Sequence, residues 1–190
     1  NDGEDAGFPT VQARVAFTTK LFAEKESTFG LSGHYGKEEI DWGLITPGAR
    51  QERVKSWSLN GEFDLPLSNC LAIKGEVFGG YNLDDYFGGI LQGVNSIQRD
   101  AIRTIGGWTQ LTYQFTPQWK STVGFGIDDP RNDDLNPGMR SKNSFYYLNV
   151  IYNLIPPVNI GLEYSHWDTE YINRSSGIDN RFQTSVIYAW

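Results

Sequence analysis

The chain has 190 residues, a formal net charge of −7 and one cysteine. The acidic charge and the lack of a basic stripe argue against nucleic acid as a partner, and the single Cys70 excludes an intrachain disulfide. Hydrophobic residues make up 39%, less than packed globular chains use, whereas aromatic residues reach 14% and glycines number 21. This composition favours a thin β-sheet wall over a packed core.

The sequence contains no run of about 18 apolar residues, so a membrane-spanning helix is not expected. A closed β-barrel is the other structure that crosses a bilayer, because lipid offers no partners to backbone N–H and C=O groups. Half of each barrel strand is polar, since apolar side chains face lipid and polar ones face the lumen. The mean hydropathy of −0.44 is therefore compatible with a membrane barrel.

Apolar and polar residues alternate along much of the chain, which is the pattern of a strand with two different faces. The clearest case is the last strand, where Phe182, Val186, Tyr188 and Trp190 share one face. We interpret Phe182, Tyr188 and Trp190 as the signal that the outer-membrane assembly machinery recognises. About nine strands are predicted, at residues 9–22, 29–36, 55–67, 71–81, 105–115, 119–127, 144–154, 160–167 and 181–190.

Short turns alternate with long polar connections at residues 37–53, 83–100, 128–142 and 170–180. Outer-membrane barrels have short periplasmic turns and longer extracellular loops, whereas a soluble β-sandwich gives no reason for long loops at one end only. We therefore predict an all-β fold without a separate domain boundary across residues 1–190. It is a transmembrane antiparallel β-barrel or the C-terminal nine or so strands of a larger one.

The strand count bears on how the sheet closes. Bacterial single-chain barrels have an even number of strands, and nine is odd. The first and last of nine strands run in the same direction, so a pairing between them would be parallel. We expect these two strands not to pair, with their missing partners supplied by an upstream segment or a second chain.

Charged residues on the polar faces are the candidates for lining a pore. They either tune which solutes pass or neutralise one another across strands, as Asp64 or Glu62 would with Lys74. Inward glycines favour an open lumen and inward aromatics a narrowed one. The charged candidates are Arg14, Lys20, Glu62, Asp64, Lys74, Glu76, Lys120, Glu163 and Arg181; the glycines are Gly30, Gly36, Gly80, Gly124 and Gly126; the aromatics are Phe78, Trp108, Phe145, Tyr147 and Trp167.

Ser32 and His34 are two residues apart on one strand, so their side chains share a face. An outer-membrane lipid hydrolase needs a His within hydrogen-bond reach of its nucleophilic Ser. The pair lies on the polar face, however, away from lipid. We interpret both as polar lumen residues and expect no catalysis and no cofactor.

Four carboxylates, Asp128, Asp129, Asp133 and Asp134, lie close together in one predicted loop. Carboxylate oxygens are the ligands that a hard cation such as Ca²⁺ prefers. The spacing lacks the pattern of an EF-hand loop. We therefore interpret them as a solvated charge run and not as a metal site.

Four stretches resemble a known family. They are G-G-W-T-Q-L-T-Y-Q-F-T-P-Q-W at 106–119, G-F-G-I-D-D-P at 124–130, N-I-G-L-E-Y-S-H-W-D-T-E-Y at 159–171 and the last strand. Over roughly residues 100–190 the chain is similar to the C-terminal part of dicarboxylate-type, DcaP-like porins. The resemblance implies a trimeric channel in the bacterial outer membrane for small hydrophilic solutes, often anionic ones. Lipid, lipopolysaccharide and the assembly machinery are the expected partners.

Three alternatives to a porin stay open. The first is a small closed structural or adhesion barrel that works through its extracellular loops. The others are a lipid hydrolase that uses Ser32 and His34, and a soluble β-barrel that binds a small ligand. On the membrane interpretation, the residues expected to face lipid near mid-strand are Val15, Leu59, Val123, Leu148 and Val186.

Overall fold

The computed structural model describes residues 6–42 and 51–188. Nine of the described strands form one antiparallel sheet whose order follows the chain, and two short strands, β5 and β6, pair separately. The prediction of an all-β antiparallel fold is confirmed. The strands are β1 Val11–Thr19, β2 Ser27–Asp41, β3 Gln51–Pro66, β4 Leu71–Tyr81, β5 Val94–Asn95, β6 Asp100–Ala101, β7 Arg103–Gln114, β8 Trp119–Pro130, β9 Arg140–Ile155, β10 Val158–Tyr171 and β11 Arg174–Tyr188.

One face of the sheet, here called the outer face, carries a continuous band of exposed apolar side chains. Leu111, Val123 and Leu148 are register partners on three adjacent strands, so the band runs from strand to strand there. A water-soluble monomer rarely exposes an apolar surface of this extent. The five residues expected to face lipid all lie on this face and are exposed: Val15, Leu59, Val123, Leu148 and Val186.

Aromatic side chains border the apolar band at both ends of the strands. At the end with short turns, the Trp119 and Tyr152 rings stack with their centroids 4.4 Å apart. At the opposite end, the Trp57 and Tyr81 ring centroids are 5.5 Å apart. Membrane barrels place aromatic girdles at both membrane–water interfaces, so the outer face has the layout of a bilayer-spanning surface.

The opposite, inner face carries the polar side chains and the small buried core of the described residues. Ile40, Trp42, Val54 and Ala101 form that core, where the far ends of β2 and β3 meet the β5–β6 hairpin. The Trp42 indole N–H donates to Glu52 Oε2 at 3.1 Å, so the buried ring leaves its polar atom satisfied. The core therefore lies beyond the apolar band, where it joins a loop to the sheet.

Several predicted loop boundaries are wrong, because the strands extend further than the alternation does. β2 continues to Asp41 and β3 begins at Gln51, with residues 43–50 outside the described part of the chain. The predicted loop 128–142 shrinks to residues 131–139. The predicted loop 170–180 is absent, since β10 and β11 are separated only by residues 172 and 173. Beyond the apolar band both faces of the strands are polar, so the apolar–polar alternation is lost there although the backbones remain paired.

The sheet is open in the described residues, with β1 at one edge and β11 at the other. The expectation that the first and last strands do not pair is confirmed there. β11 is exposed along its whole length and β1 along nearly all of it, because each has one neighbour. Phe182 and Tyr188 are exposed, Trp190 lies outside the described residues, and their role in assembly stays a prediction.

The described part of the chain contains the 3₁₀ turns Asp84–Tyr86 and Asn132–Asp134. Neither is long and apolar enough to cross a membrane.

Candidate functional site

Residues 82–102, which connect β4 to β7, fold back over the inner face of the sheet. We call them the inward segment. The ends of this segment are held together by the Asn82 N–H, which donates to the Ile102 carbonyl oxygen at 3.0 Å. Between these ends lie the 3₁₀ turn Asp84–Tyr86 and the β5–β6 hairpin. The predicted loop at 83–100 is therefore an ordered structure placed against the polar wall.

The first half of the inward segment is anchored to β1 and β2. The Gln12 amide donates to the Tyr86 hydroxyl at 2.8 Å, and the His34 ring stacks on the Tyr86 ring with centroids 4.0 Å apart. The Asn82 amide donates to Glu38 Oε2 at 2.8 Å. These contacts fix the 3₁₀ turn against the edge of the sheet that begins the chain.

The middle of the inward segment is anchored to β8 and β9. The Ile90 N–H donates to Asp128 Oδ2 at 2.8 Å. Gln92 donates to the Arg140 carbonyl oxygen at 2.8 Å and accepts from the Arg140 N–H at 3.0 Å. Together with the contacts to β1, these bonds show that the segment reaches across most of the width of the sheet.

The β5–β6 hairpin is held by the connection between β8 and β9. The fully buried Asn95 donates to the Asp134 carbonyl oxygen at 2.8 Å and accepts from Asn136 at 2.6 Å. The Asp134 carboxylate in turn accepts from the Arg103 guanidinium Nε at 2.7 Å. This bond to Arg103 lowers the pKa of Asp134, so the carboxylate is charged at neutral pH and the anchor is in place.

The backbone of the inward segment is strained. Asn82, Phe87, Ile90, Leu91 and Arg99 all have φ between +53° and +63°. Side chains other than glycine rarely adopt this region, and a β-branched Ile is a genuine outlier there. Such strain persists where surrounding contacts over-determine the conformation, and it concentrates at functional sites. The anchors described above supply those contacts.

A cavity of about 710 Å³ lies between the inward segment and the inner face of β1–β4 and β7. Aromatic rings and polar side chains share its lining, and Phe87 comes from the segment itself. Small-molecule sites generally combine apolar walls with a few polar groups. The main lining side chains are Gln12, Arg14, Ser32, His34, Ser58, Asn60, Glu76, Phe78, Leu83, Tyr86, Phe87 and Trp108.

Several of the predicted pore-lining charges are paired on the inner face. Arg14 Nε donates to Glu62 Oε1 at 2.8 Å, and Lys74 Nζ lies 2.5 Å from Asp64 Oδ2. Glu76 lines the cavity. Asp64 and Lys74 are cross-strand neighbours on β3 and β4, whereas Arg14 on β1 reaches past β2 to Glu62 on β3. Both pairs fit mutual neutralisation of charge. That these residues line a pore stays a prediction.

The remaining charged candidates lie away from the cavity. Arg181 pairs with Asp179 at 3.3 Å on the edge strand, and Glu163 accepts from Asn149 at 3.3 Å. Lys120 lies near the start of β8, close to the short turn. Lys20 follows the end of β1 and pairs with the exposed Glu24 at 3.4 Å, so its placement on a strand was wrong.

Three of the predicted inward aromatic rings lie against glycines of the neighbouring strand. A Cβ atom at any of these glycines would collide with the ring that covers it. The Tyr147 hydroxyl donates to Gln110 Oε1 at 2.6 Å, and the Phe145 and Trp167 rings stack at 4.4 Å. These three rings therefore pack against the wall of the sheet. The pairs are Phe78 over Gly106, Phe145 over Gly126 and Tyr147 over Gly124.

Ser32 and His34 share the inner face but do not contact each other as nucleophile and base. His34 Nδ1 is 2.8 Å from Ser58 Oγ, and Nε2 is 2.8 Å from Ser56 Oγ. Ser32 Oγ accepts from the Asn60 amide at 3.3 Å. Both imidazole nitrogens are thus occupied by other serines, which leaves the lipid hydrolase alternative without its dyad.

The four carboxylates of residues 128–134 contact different parts of the protein and do not converge on one point. Asp128 binds the inward segment, Asp134 binds Arg103, and Asp133 pairs with Arg131 at 3.0 Å. Asp129 is the register partner of Ile105 and is exposed. Across residues 6–42 and 51–188, no group of three or more His, Cys, Asp or Glu side chains is arranged to hold a metal ion.

Sequence reasoning placed Arg14, Glu76 and Trp108 on the inner face, but it missed the residues of the inward segment because it assigned 83–100 to a long polar loop. The most informative local signal was Tyr86-Phe87, two adjacent aromatic residues inside a stretch otherwise rich in Asp and Gly. Solvent-exposed loops rarely contain two adjacent aromatic residues. Their presence indicates a loop that packs against another part of the protein.

The fold is that of outer-membrane channels. The outer membrane channel DcaP of Acinetobacter baumannii superposes with a TM-score of 0.77 at 17% identity, over 96% of this chain and 51% of that chain. The porin NanC superposes with a TM-score of 0.54 at 9% identity, over 95% of this chain and 94% of that chain. The chain thus spans about half the length of DcaP. No protein-family model and no curated protein matches it.

Proposed function

We propose that this chain forms part of the wall and constriction of a bacterial outer-membrane porin, through which small hydrophilic solutes diffuse. The observation that carries the proposal is the inward segment. A strained loop of 21 residues, anchored from β1 to β9 across the polar face, narrows any lumen that this sheet encloses. An adhesion barrel that works through external loops gives no reason to hold a loop inside.

The charges of the inner face argue for weak charge selectivity. Anionic solutes, which the family resemblance implies, would meet Arg14 and Lys74 already engaged by Glu62 and Asp64. Glu76 adds a further negative charge at the cavity. We therefore expect small hydrophilic solutes to pass with little preference for anions.

The open edges call for further strands. Unpaired backbone groups of β1 and β11 would cost several kcal/mol each in hydrocarbon. The sheet superposes better on half of DcaP than on the whole of NanC, which supports the proposal that it is part of a larger barrel. We propose that strands of the same polypeptide or of another copy close it, within a trimer in contact with lipid, lipopolysaccharide and the assembly machinery.

The test is to shorten the inward segment in the complete gene product. Asn82 and Ile102 are hydrogen-bonded at the base of the segment, so a Gly-Ser pair can replace residues 84–100 while β4 and β7 stay paired. We expect a larger single-channel conductance in planar bilayers. Tyr86→Phe is the matched control, because it removes one hydrogen bond and keeps the segment. Equal conductance of the shortened and unaltered channels would contradict the proposal.

A further inference from the structure

Exposed aromatic rings in the cavity under the inward segment are not explained by passive passage alone. Phe87 is 85% exposed and Trp108 is 38% exposed, and both line the cavity. Barrel interiors are generally polar. Phe145 and Tyr147 cover glycines of the wall, whereas Phe87 belongs to the inward segment and is largely exposed.

The position of Phe87 is fixed although its ring is exposed. Its N–H donates to the Asp84 carbonyl oxygen at 3.0 Å, which ends the 3₁₀ turn with a φ of +63°. The preceding residue, Tyr86, is held by Gln12 and by the His34 ring. A strained backbone thus presents an apolar ring to the cavity. Pre-positioning of this kind lowers the entropy cost of binding.

The polar groups of the cavity select against negative charge. Arg14 is the cationic side chain of its lining, and its guanidinium is engaged by Glu62. Glu76 contributes a carboxylate and Asn60 an amide. A neutral solute with hydroxyl groups at its edge can hydrogen-bond to Asn60 and Glu76, whereas a carboxylate would be repelled by Glu76.

We propose that this cavity binds ring-shaped neutral solutes, of which pyranose sugars are the type, by stacking their flat faces on Phe87 and Trp108. This inference rests on the proposed porin function and adds a solute class to it. The volume of about 710 Å³ falls in the range of ~300–1,000 Å³ usual for small-molecule sites. Stacking on aromatic rings supplies attraction that does not depend on charge.

Two readouts test the site in the complete gene product. The first is calorimetric titration of the detergent-solubilised protein with a neutral pyranose disaccharide and, separately, with benzoate, which shares a flat ring but is an anion. The second is solute-induced interruption of current in planar bilayers. The variants are Phe87→Ala, Trp108→Ala and the ring-preserving Trp108→Phe. Leu91→Ala, a change at an exposed residue of the same segment, is the matched control.

We expect each ring removal to weaken disaccharide binding about three- to tenfold, which corresponds to the usual strength of an aromatic contact. Trp108→Phe and Leu91→Ala should stay within about twofold, and benzoate should bind more weakly than the disaccharide. Unchanged disaccharide affinity after both ring removals, or tighter binding of benzoate, would overturn the inference. A protein that conducts but binds no disaccharide refutes this site alone, whereas a protein that never conducts refutes the porin proposal.

Discussion

The two faces of the same nine strands are built by opposite rules. On the outer face, Leu111, Val123 and Leu148 lie side by side on three adjacent strands and are exposed. On the inner face, side chains engage one another and the inward segment, as Tyr147 does with Gln110 and Asp128 with Ile90. The outer face is thus suited to the hydrocarbon of a lipid bilayer, and the inner face to specific contacts within the protein. Substitutions should therefore fail for different reasons on the two faces.

The largest expected effect comes from charge on the outer face. Leu148→Arg places a cation in hydrocarbon at mid-strand, which costs about 2–4 kcal/mol near the bilayer midplane. Asn149→Arg changes the adjacent residue, which points to the inner face, and should be far milder. Urea titration of folding into phospholipid vesicles measures both. Equal losses of stability would show that the two faces are assigned wrongly.

An intermediate effect is expected from glycines that differ only in the face they occupy. A methyl group at Gly124 collides with the Tyr147 ring, so Gly124→Ala should push the ring off the wall and break its bond to Gln110. We expect a loss of roughly 1–2 kcal/mol in folding stability and a smaller conductance.

Gly61→Ala is the control for that prediction. Its new methyl group would meet Val77 Cγ2 at 3.8 Å, an ordinary contact on the outer face. Because alanine loses less backbone entropy than glycine on folding, this variant should be neutral or slightly more stable. If Gly124→Ala behaves in the same way, Tyr147 does not depend on the glycine beneath it.

The outer face is also the part of the molecule that sequence alone could predict. A strand that separates lipid from lumen must alternate with a period of two, so Val15, Leu59 and Val186 reveal their orientation locally. The alternation ends where both faces meet water. For this reason the paired stretch that includes Tyr171 and Arg174 was predicted as a loop.

The inner face could be predicted only in part. Its charged residues were identified, but their partners depend on register, and the contacts of the inward segment join residues far apart in sequence. Gln12 and Tyr86 are separated by 74 positions, and no local pattern connects them. A loop that folds inward and a loop that stays in solvent have the same composition of Asp, Gly and Asn. The cavity could therefore not be predicted from the sequence, because it depends on the fold that places Phe87 opposite the sheet.

The smallest expected effect concerns the ion pair of Asp64 and Lys74, register partners on β3 and β4. Both side chains are roughly half exposed, so the pair should contribute only about 0.2–1 kcal/mol. Lys74→Glu sets like charges opposite each other, and adding Asp64→Lys restores opposite signs with the order reversed. We expect the double variant to recover most of the stability lost by the single one.

Salt dependence separates this inner-face effect from those on the outer face. Raising ionic strength from 0.01 to 1 M shortens the Debye length from about 30 to about 3 Å, so the coupling between positions 64 and 74 should fall towards zero in a double-mutant cycle. The penalty of Leu148→Arg comes from removing a charge from water and should change little with salt. A coupling of positions 64 and 74 that persists unchanged at 1 M salt would mean that the pair is shielded from the aqueous lumen, and the inner face would then not be the water-filled side.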